Sequence, residues 1–207
     1  APLPARTGSL VNLDTDGQIV IHGLAGQSED LFNTRMAEAT ETLRQKRYYD
    51  AVGLYETAGR ITPRNPLARV GMGLSLLGAG ESLSAARQFS RALSLFPPMT
   101  ESRIDLTAMI DAKVIEAELA TIDGRVGRAD DETARMLEFL AMFLYYNSRQ
   151  DAKAKSFAEK VQASSHNAAL LRAYAELILR GRQVEGGGAP KPDDRAPAKD
   201  PANGRSP

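Results

Sequence analysis

The sequence contains no cysteine and no tryptophan, and its positive and negative charges cancel. Without cysteine the chain of 207 residues has no disulfide framework, no thiolate nucleophile and no cysteine-ligated zinc site. Lys plus Arg and Asp plus Glu both number 26, so no excess of positive charge favours nucleic acid or an acidic membrane as a partner. We therefore expect no nucleic-acid partner, and the composition leaves the redox compartment open.

Long hydrophobic runs are also missing. The longest strongly apolar stretch, 136–146, is interrupted by Glu138 and is shorter than the roughly 20 residues that a membrane-spanning helix needs. We therefore expect a soluble chain without membrane insertion. The first residue is Ala1 instead of Met, which indicates that an upstream segment was removed. A secretory signal and excision from a longer polypeptide are the two alternatives, so export is one interpretation and the compartment stays open.

The residue types that usually carry chemistry are scattered along the chain. His22 and His166 are far apart and have no nucleophile pattern beside them, so we expect surface or capping roles for both. The run Asp14–Gly17 resembles the start of a calcium loop, but the later ligands are not supplied. No glycine-rich phosphate loop follows a predicted strand. The sequence therefore predicts no catalytic residue, no metal and no cofactor.

One group of residue types recurs at a spacing of 34 positions. The first copy is Ala51, Tyr55, Ala58 and Pro63, and the second copy is Ala85, Phe89, Ala92 and Pro97. A period of this length is typical of repeat proteins whose units are pairs of helices. The small residues suit places where two helices approach closely, and the aromatic ring can fill the gap between successive helix hairpins. Each proline ends one unit.

Helical periodicity and capping residues predict about eight helices. The first begins after Ser28 as a candidate N-cap, and the third begins at Pro66 with Asn65 as its cap. We predict the remaining helices over 48–61, 82–95, 104–122, 131–147, 151–163 and 167–179. The helix over 104–122 is predicted to be longer and amphipathic.

The two ends of the chain differ from the helical part over 28–180. In the arm over 1–27, Ile19–Ile21 and the run before Asp14 are β-prone and flank an Asp-Gly pair, which predicts a short hairpin or an extended arm lying on the helical body. The segment 181–207 is rich in glycine, proline and charged residues. Such a segment cannot offset its ordering entropy by burial, so we predict a disordered tail or linker.

The repeated residues resemble the tetratricopeptide repeat family, and Ala39 and Gly73 add matching small positions in the first helix of each unit. The resemblance covers repeats near 32–65 and 66–99. A third, degenerate copy lies near 131–168, where Met142 replaces the usual small residue and no proline closes the unit. The resemblance implies an all-α, right-handed superhelical stack of helix hairpins, an α-solenoid. Residues 100–128 would form irregular helices within it, and 167–180 a capping helix.

The resemblance also implies a concave groove that holds a peptide or a partner helix. The residues expected to line it are Met36, Thr40, Leu43, Arg44, Val70, Leu74 and Leu77. Most of them are apolar, so we expect an apolar or amphipathic helix in the groove and not a clasped carboxylate.

A stripe of large side chains runs along the helix predicted over 131–147. Its members are Met136, Phe139, Phe143 and Tyr146. Core packing and a partner-binding surface are the two interpretations of this stripe, and an oligomer formed through this helix is a further one. The function that we expect is a non-catalytic protein–protein interaction scaffold. The alternative is an accessory helical domain of a larger enzyme or of an exported cell-envelope assembly component.

Overall fold

The computed structural model describes residues 10–164 and 166–181, and most of them are helical. Within these ranges the eight helices are α1 Leu31–Arg44, α2 Tyr48–Ile61, α3 Pro66–Gly78, α4 Ser82–Leu95, α5 Ala112–Val126, α6 Asp131–Asn147, α7 Asp151–Ala163 and α8 Ala169–Arg180. The strands are β1 Val11–Leu13, β2 Ile19–Ile21 and β3 Arg103–Ile104, and two short 3-10 helices cover Pro97–Glu101 and Leu106–Ala108. The mostly helical class and the count of about eight helices are confirmed. The tail predicted beyond 181 lies outside the described residues.

Four of the eight described helices, α1, α3, α5 and α6, begin after a residue whose side chain accepts a hydrogen bond from an amide in the first turn. Asn65 accepts a hydrogen bond from the amide of Leu67, and Pro66 occupies the first turn of α3, as predicted. The predicted cap of α1 was wrong. Asp30, and not Ser28, accepts a hydrogen bond from an amide in the first turn of α1, because Asp30 is the residue directly before the helix.

Three helix pairs share one turn geometry. In the α1–α2, α3–α4 and α6–α7 turns the residue after the helix cap has a left-handed φ: Lys46 at 62°, Gly80 at 79° and Arg149 at 57°. Lys46 and Gly80 are 34 positions apart, which is the period of the sequence repeat. Arg149 sets the register of the third pair, and in this register Met142 corresponds to Ala39 of the first pair.

Aromatic rings pack against very small residues between neighbouring helices. A Cβ added to Gly73 of α3 would lie 2.5 Å from the ring of Phe89 of α4. The Phe89 ring in turn stacks on Phe143 of α6, with the ring centroids 4.4 Å apart. Consecutive helices from α1 to α4 pack on each other, and α6 then packs directly on α4. The residues between α4 and α6 are therefore inserted between two hairpins that contact each other.

The part of this insertion over 97–126 is called the strap here. We predicted one long helix over 104–122, which was wrong, because α5 begins only after Asp111, whose side chain accepts a hydrogen bond from the amide of Lys113. Residues Arg103–Ile104 are extended because they pair in parallel with β2 of the N-terminal arm. The sheet thus has the order β1-β2-β3, and β1 and β2 form an antiparallel hairpin whose turn contains Gly17 with φ 67°.

Candidate functional site

The structure buries most of the residues that the sequence suggested for a concave groove. Met36, Thr40, Leu43, Val70, Leu74 and Leu77 are buried, whereas Arg44 is exposed. The strap contacts the first and second hairpins. Its helix α5 packs on α3, and its Asp111 Oδ2 accepts a hydrogen bond from Lys46 Nζ at 3.2 Å. A partner could not contact the six buried side chains without moving other parts of the core.

A cavity of about 260 Å³ remains between the strap and the end of α1. Leu43 and Arg44 line it together with Lys46, Tyr48 and residues 107–112. Among the groove residues suggested by the sequence, these two are the ones that border this cavity.

The aromatic stripe of α6 also lies inside the molecule. Phe139, Phe143 and Tyr146 are buried, and Met136 is partly buried and packs on the same core. The ring centroids of Phe139 and Phe143 are 6.1 Å apart. The rings of Tyr146 and Tyr174 of α8 form an edge-to-face pair. Of the two interpretations of the stripe, the structure supports core packing.

A larger cleft of about 690 Å³ opens where the N-terminal hairpin, the strap and the helices α6 to α8 meet, and we call it the junction cleft. Ligand sites commonly have volumes of about 300–1,000 Å³. The lining residues combine charged and apolar side chains: Asp16, Gln18, Glu101, Arg103, Tyr146, Asp151, Lys155, Ala173, Glu176, Leu177, Ile178, Arg180 and Gly181. Among the residues suggested by the sequence, only Tyr146 borders it.

Arg103 of β3 holds one wall of the junction cleft in place. Its side chain is only 11% exposed, and its guanidinium carbon lies 4.2 Å from the ring centroid of Tyr146. Arg103 Nε donates to Gln18 Oε1 at 2.8 Å, Nη2 donates to Asp151 Oδ1 at 2.7 Å, and Nη1 donates to the carbonyl oxygen of Tyr146. A single side chain thus joins the arm, the strap and the α6–α7 turn. Sequence reasoning missed Arg103 because all its partners are far away along the chain.

Two further side chains attach the hairpin and the strap to the end of α6. Buried Asn147 accepts a hydrogen bond from the amide of Ile104 at 2.6 Å and donates one to the carbonyl oxygen of Phe143 at 2.8 Å. Asp14 accepts from the amide of Gln18 at 2.8 Å and from Arg149 at 3.2 Å. The hydrogen bond from the Gln18 amide is the main reason why the pKa of Asp14 is lowered from its ordinary value of 3.8.

The charged side chains of the junction cleft fall into two groups. Arg103 pairs with Asp151, and Arg180 pairs with Glu176. In the described part of the chain, no hydrogen bond or ion pair engages the side chains of three other lining residues, which are Asp16, Glu101 and Lys155. These two carboxylates and one ammonium group are exposed at the cleft, without a charged partner among the described residues.

A histidine–aspartate pair lies beside the cleft, between the arm and the strap. His22 Nδ1 and Asp105 Oδ2 are 3.1 Å apart. Partial burial raises the pKa of Asp105, but hydrogen bonds from Thr107, His22 and the amide of Ala108 outweigh it, so the pKa is lowered from 3.8.

Ser148 lines the same small cavity as His22 and Asp105. Its Oγ atom is buried and has no hydrogen-bond partner among the described residues. It is therefore not bonded to His22, as the serine of a Ser-His-Asp triad would be. The three side chains are neighbours without being a catalytic triad in this arrangement.

Within residues 10–164 and 166–181 no group of three or more His, Asp or Glu side chains is placed to hold a metal ion. In the same part of the chain, no helix combines the length and the apolar character needed to cross a membrane. No protein-family model, curated protein or solved structure matches this chain. Any functional assignment therefore depends on the residues and the geometry described above.

Proposed function

We propose that this chain is a non-catalytic scaffold of the tetratricopeptide-repeat type that binds a protein partner. The observation that carries the proposal is the recurrence of one turn geometry at Lys46, Gly80 and Arg149, in hairpins that pack on one another. The second and third hairpins meet through the stacked rings of Phe89 and Phe143. Units of this kind bury their apolar faces against their neighbours and form an extended surface for binding. In this proposal the hairpins form a right-handed superhelix.

The partner binds in the junction cleft and not on the inner face of α1 and α3. The buried state of Met36, Val70 and Leu74 argues against a partner on that face, because their side chains already belong to the core. The cleft has apolar residues beside charged ones, as the contact surfaces of protein complexes usually do. This moves the expected binding surface away from the groove that the sequence suggested.

Affinity capture from the native lysate tests this proposal, with the full chain as bait. Lys155→Glu changes a charge in the cleft, and Lys113→Glu makes the same change at an exposed position on α5 outside the cleft. We expect a protein, identified by mass spectrometry in replicate captures, that wild type and Lys113→Glu retain and Lys155→Glu loses. Circular dichroism checks that both variants are folded.

Two outcomes would contradict the proposal. If both variants retain the same partner, the cleft is not its binding surface. If wild type captures no reproducible partner, the scaffold function itself is wrong. Size-exclusion chromatography with light scattering on the purified chain identifies the case in which the partner is a second copy.

A further inference from the structure

We propose that the junction cleft recognises a short peptide segment that carries one basic and one acidic side chain on either side of an apolar residue. This inference rests on the proposed function and adds the chemical class of the ligand. It is independent of the family resemblance, because it uses only the residues that line the cleft.

Some charged side chains of the cleft are paired with each other and others are not. The ion pairs inside the cleft neutralise Arg103 and the α8 arginine, so these cations already have carboxylate partners. Asp16 on the hairpin turn and Glu101 at the end of a 3-10 helix have no such partner in the described chain, and neither has Lys155 of α7. A ligand with charges of both signs could pair with the two carboxylates and with the ammonium group. A simple anion would be repelled by the carboxylates, and a simple cation by the ammonium group.

The lining of the cleft also has an apolar part. Ala173 and Leu177 of α8 border the same cleft, and neither side chain is fully buried. A small ion would leave these surfaces in contact with water. The methylene stem of a lysine side chain and an aliphatic neighbour can cover them, while the charged ends reach the carboxylates and the ammonium group. This favours a peptide over an inorganic ion.

The segments that carry these charged groups are attached to the rest of the fold. Gln18 accepts from Arg103, and its Nε2 donates to the Tyr146 hydroxyl at 2.5 Å, so the hairpin beside Asp16 is attached to α6. Lys155 follows Asp151 by one helical turn, and the Arg103 ion pair holds Asp151. A site whose elements are already in place loses less conformational entropy when it binds a ligand.

Nuclear magnetic resonance titration of the full, isotope-labelled chain tests the inference. The probes are acetyl-Lys-Leu-Glu-amide and its uncharged counterpart acetyl-Gln-Leu-Gln-amide. We expect saturable shifts of the amides of Gln18, Leu177 and Gly181 with the charged peptide, and none at Gly53, which lies in α2 and does not line the cleft. The uncharged peptide loses the charge interactions at both ends and should bind about ten- to twentyfold more weakly, since each exposed ion pair contributes a factor of about three to five.

Variants with exposed charges removed provide the matched comparison. We expect the affinity for the charged peptide to fall about three- to fivefold in the double variant Asp16→Asn, Glu101→Gln. A similar fall is expected in the single variant Lys155→Gln. Lys113→Gln and Glu116→Gln, which remove exposed charges from α5, should leave the affinity for this peptide unchanged.

The inference is overturned if no cleft amide shifts saturably, if the uncharged peptide binds equally well, or if the α5 variants weaken binding as much as the cleft variants do. A partner that is captured by wild type and lost by Lys155→Glu, together with no preference for the charged peptide, would leave the scaffold function standing and reject this ligand class. Binding of the charged peptide without any captured partner would support this ligand class and reject the scaffold function.

Discussion

Replacing Gly73 by alanine tests the close contact between α3 and α4. The new Cβ would lie 2.5 Å from the ring of Phe89, which is closer than real side-chain atoms approach each other, so the ring would have to move. Phe89 is fully buried and stacked on Phe143, so it has no free space to move into. The substitution therefore strains the contact between the second and third hairpins.

The expected loss of stability combines three effects. Overpacking a core costs about 1–3 kcal/mol, and disturbing an aromatic pair costs about 0.5–1.5 kcal/mol. Alanine in a helix is better than glycine by about 0.5–1 kcal/mol, which offsets part of this. We expect Gly73→Ala to lower the free energy of unfolding by roughly 1–3 kcal/mol.

Gly53→Ala is the matched control. Gly53 also lies inside a helix, but it is exposed, and nothing lies within 4 Å of an added Cβ. Only the change in helix propensity applies, so Gly53→Ala should raise the free energy of unfolding by about 0.5–1 kcal/mol. Gly78→Ala should fall between the two, because the Tyr48 ring that it would meet is partly exposed and can swing outwards.

Urea unfolding followed by far-ultraviolet circular dichroism measures these differences on the full chain. We expect Gly53→Ala to be more stable than Gly73→Ala by roughly 2–4 kcal/mol, with similar denaturant slopes. If Gly73→Ala is as stable as Gly53→Ala, the reasoning is refuted, because the ring contact then does not require glycine at this position.

Three further predictions concern α6 and the elements attached to it. Asn147→Leu should lower the free energy of unfolding by about 1–3 kcal/mol, because the buried amide of Ile104 loses its acceptor; a change below about 0.5 kcal/mol in urea unfolding would contradict this. Phe143→Ala should cost about 3–5 kcal/mol by the same assay, and a fully stable variant would show that the ring is not core. Since the amide of Gln18 lowers the folded-state pKa of Asp14, its stabilising effect is present above the ordinary value and is lost as the pH falls through the lowered value. The stability difference between wild type and Asp14→Ala should therefore be constant above about pH 5 and shrink below about pH 4, and a difference that grows on acidification would contradict this.

Most helix boundaries could be predicted because their signals are local. The bounds 48–61, 82–95, 131–147 and 151–163 agree with α2, α4, α6 and α7. Periodic apolar residues and capping or turn residues within a few positions are sufficient to specify such helices. The same signals were misleading over 104–122, because the extended state of Arg103–Ile104 depends on pairing with β2, about eighty positions earlier in the chain.

The sequence by itself determined the 34-residue period, the helix pairs and the small and aromatic residues that meet between them, because each depends on residue spacing within one unit. Only the tertiary structure decided which surfaces stay open. An apolar residue such as Val70 or Phe139 carries the same pattern whether it faces a partner or its own core, and the outcome here depended on where the strap and the neighbouring helices lie. Arg103 likewise became part of a cleft only because folding brings the arm, the strap and α7 to one place. Burial and charge pairing are collective, so residues distant in sequence decide them.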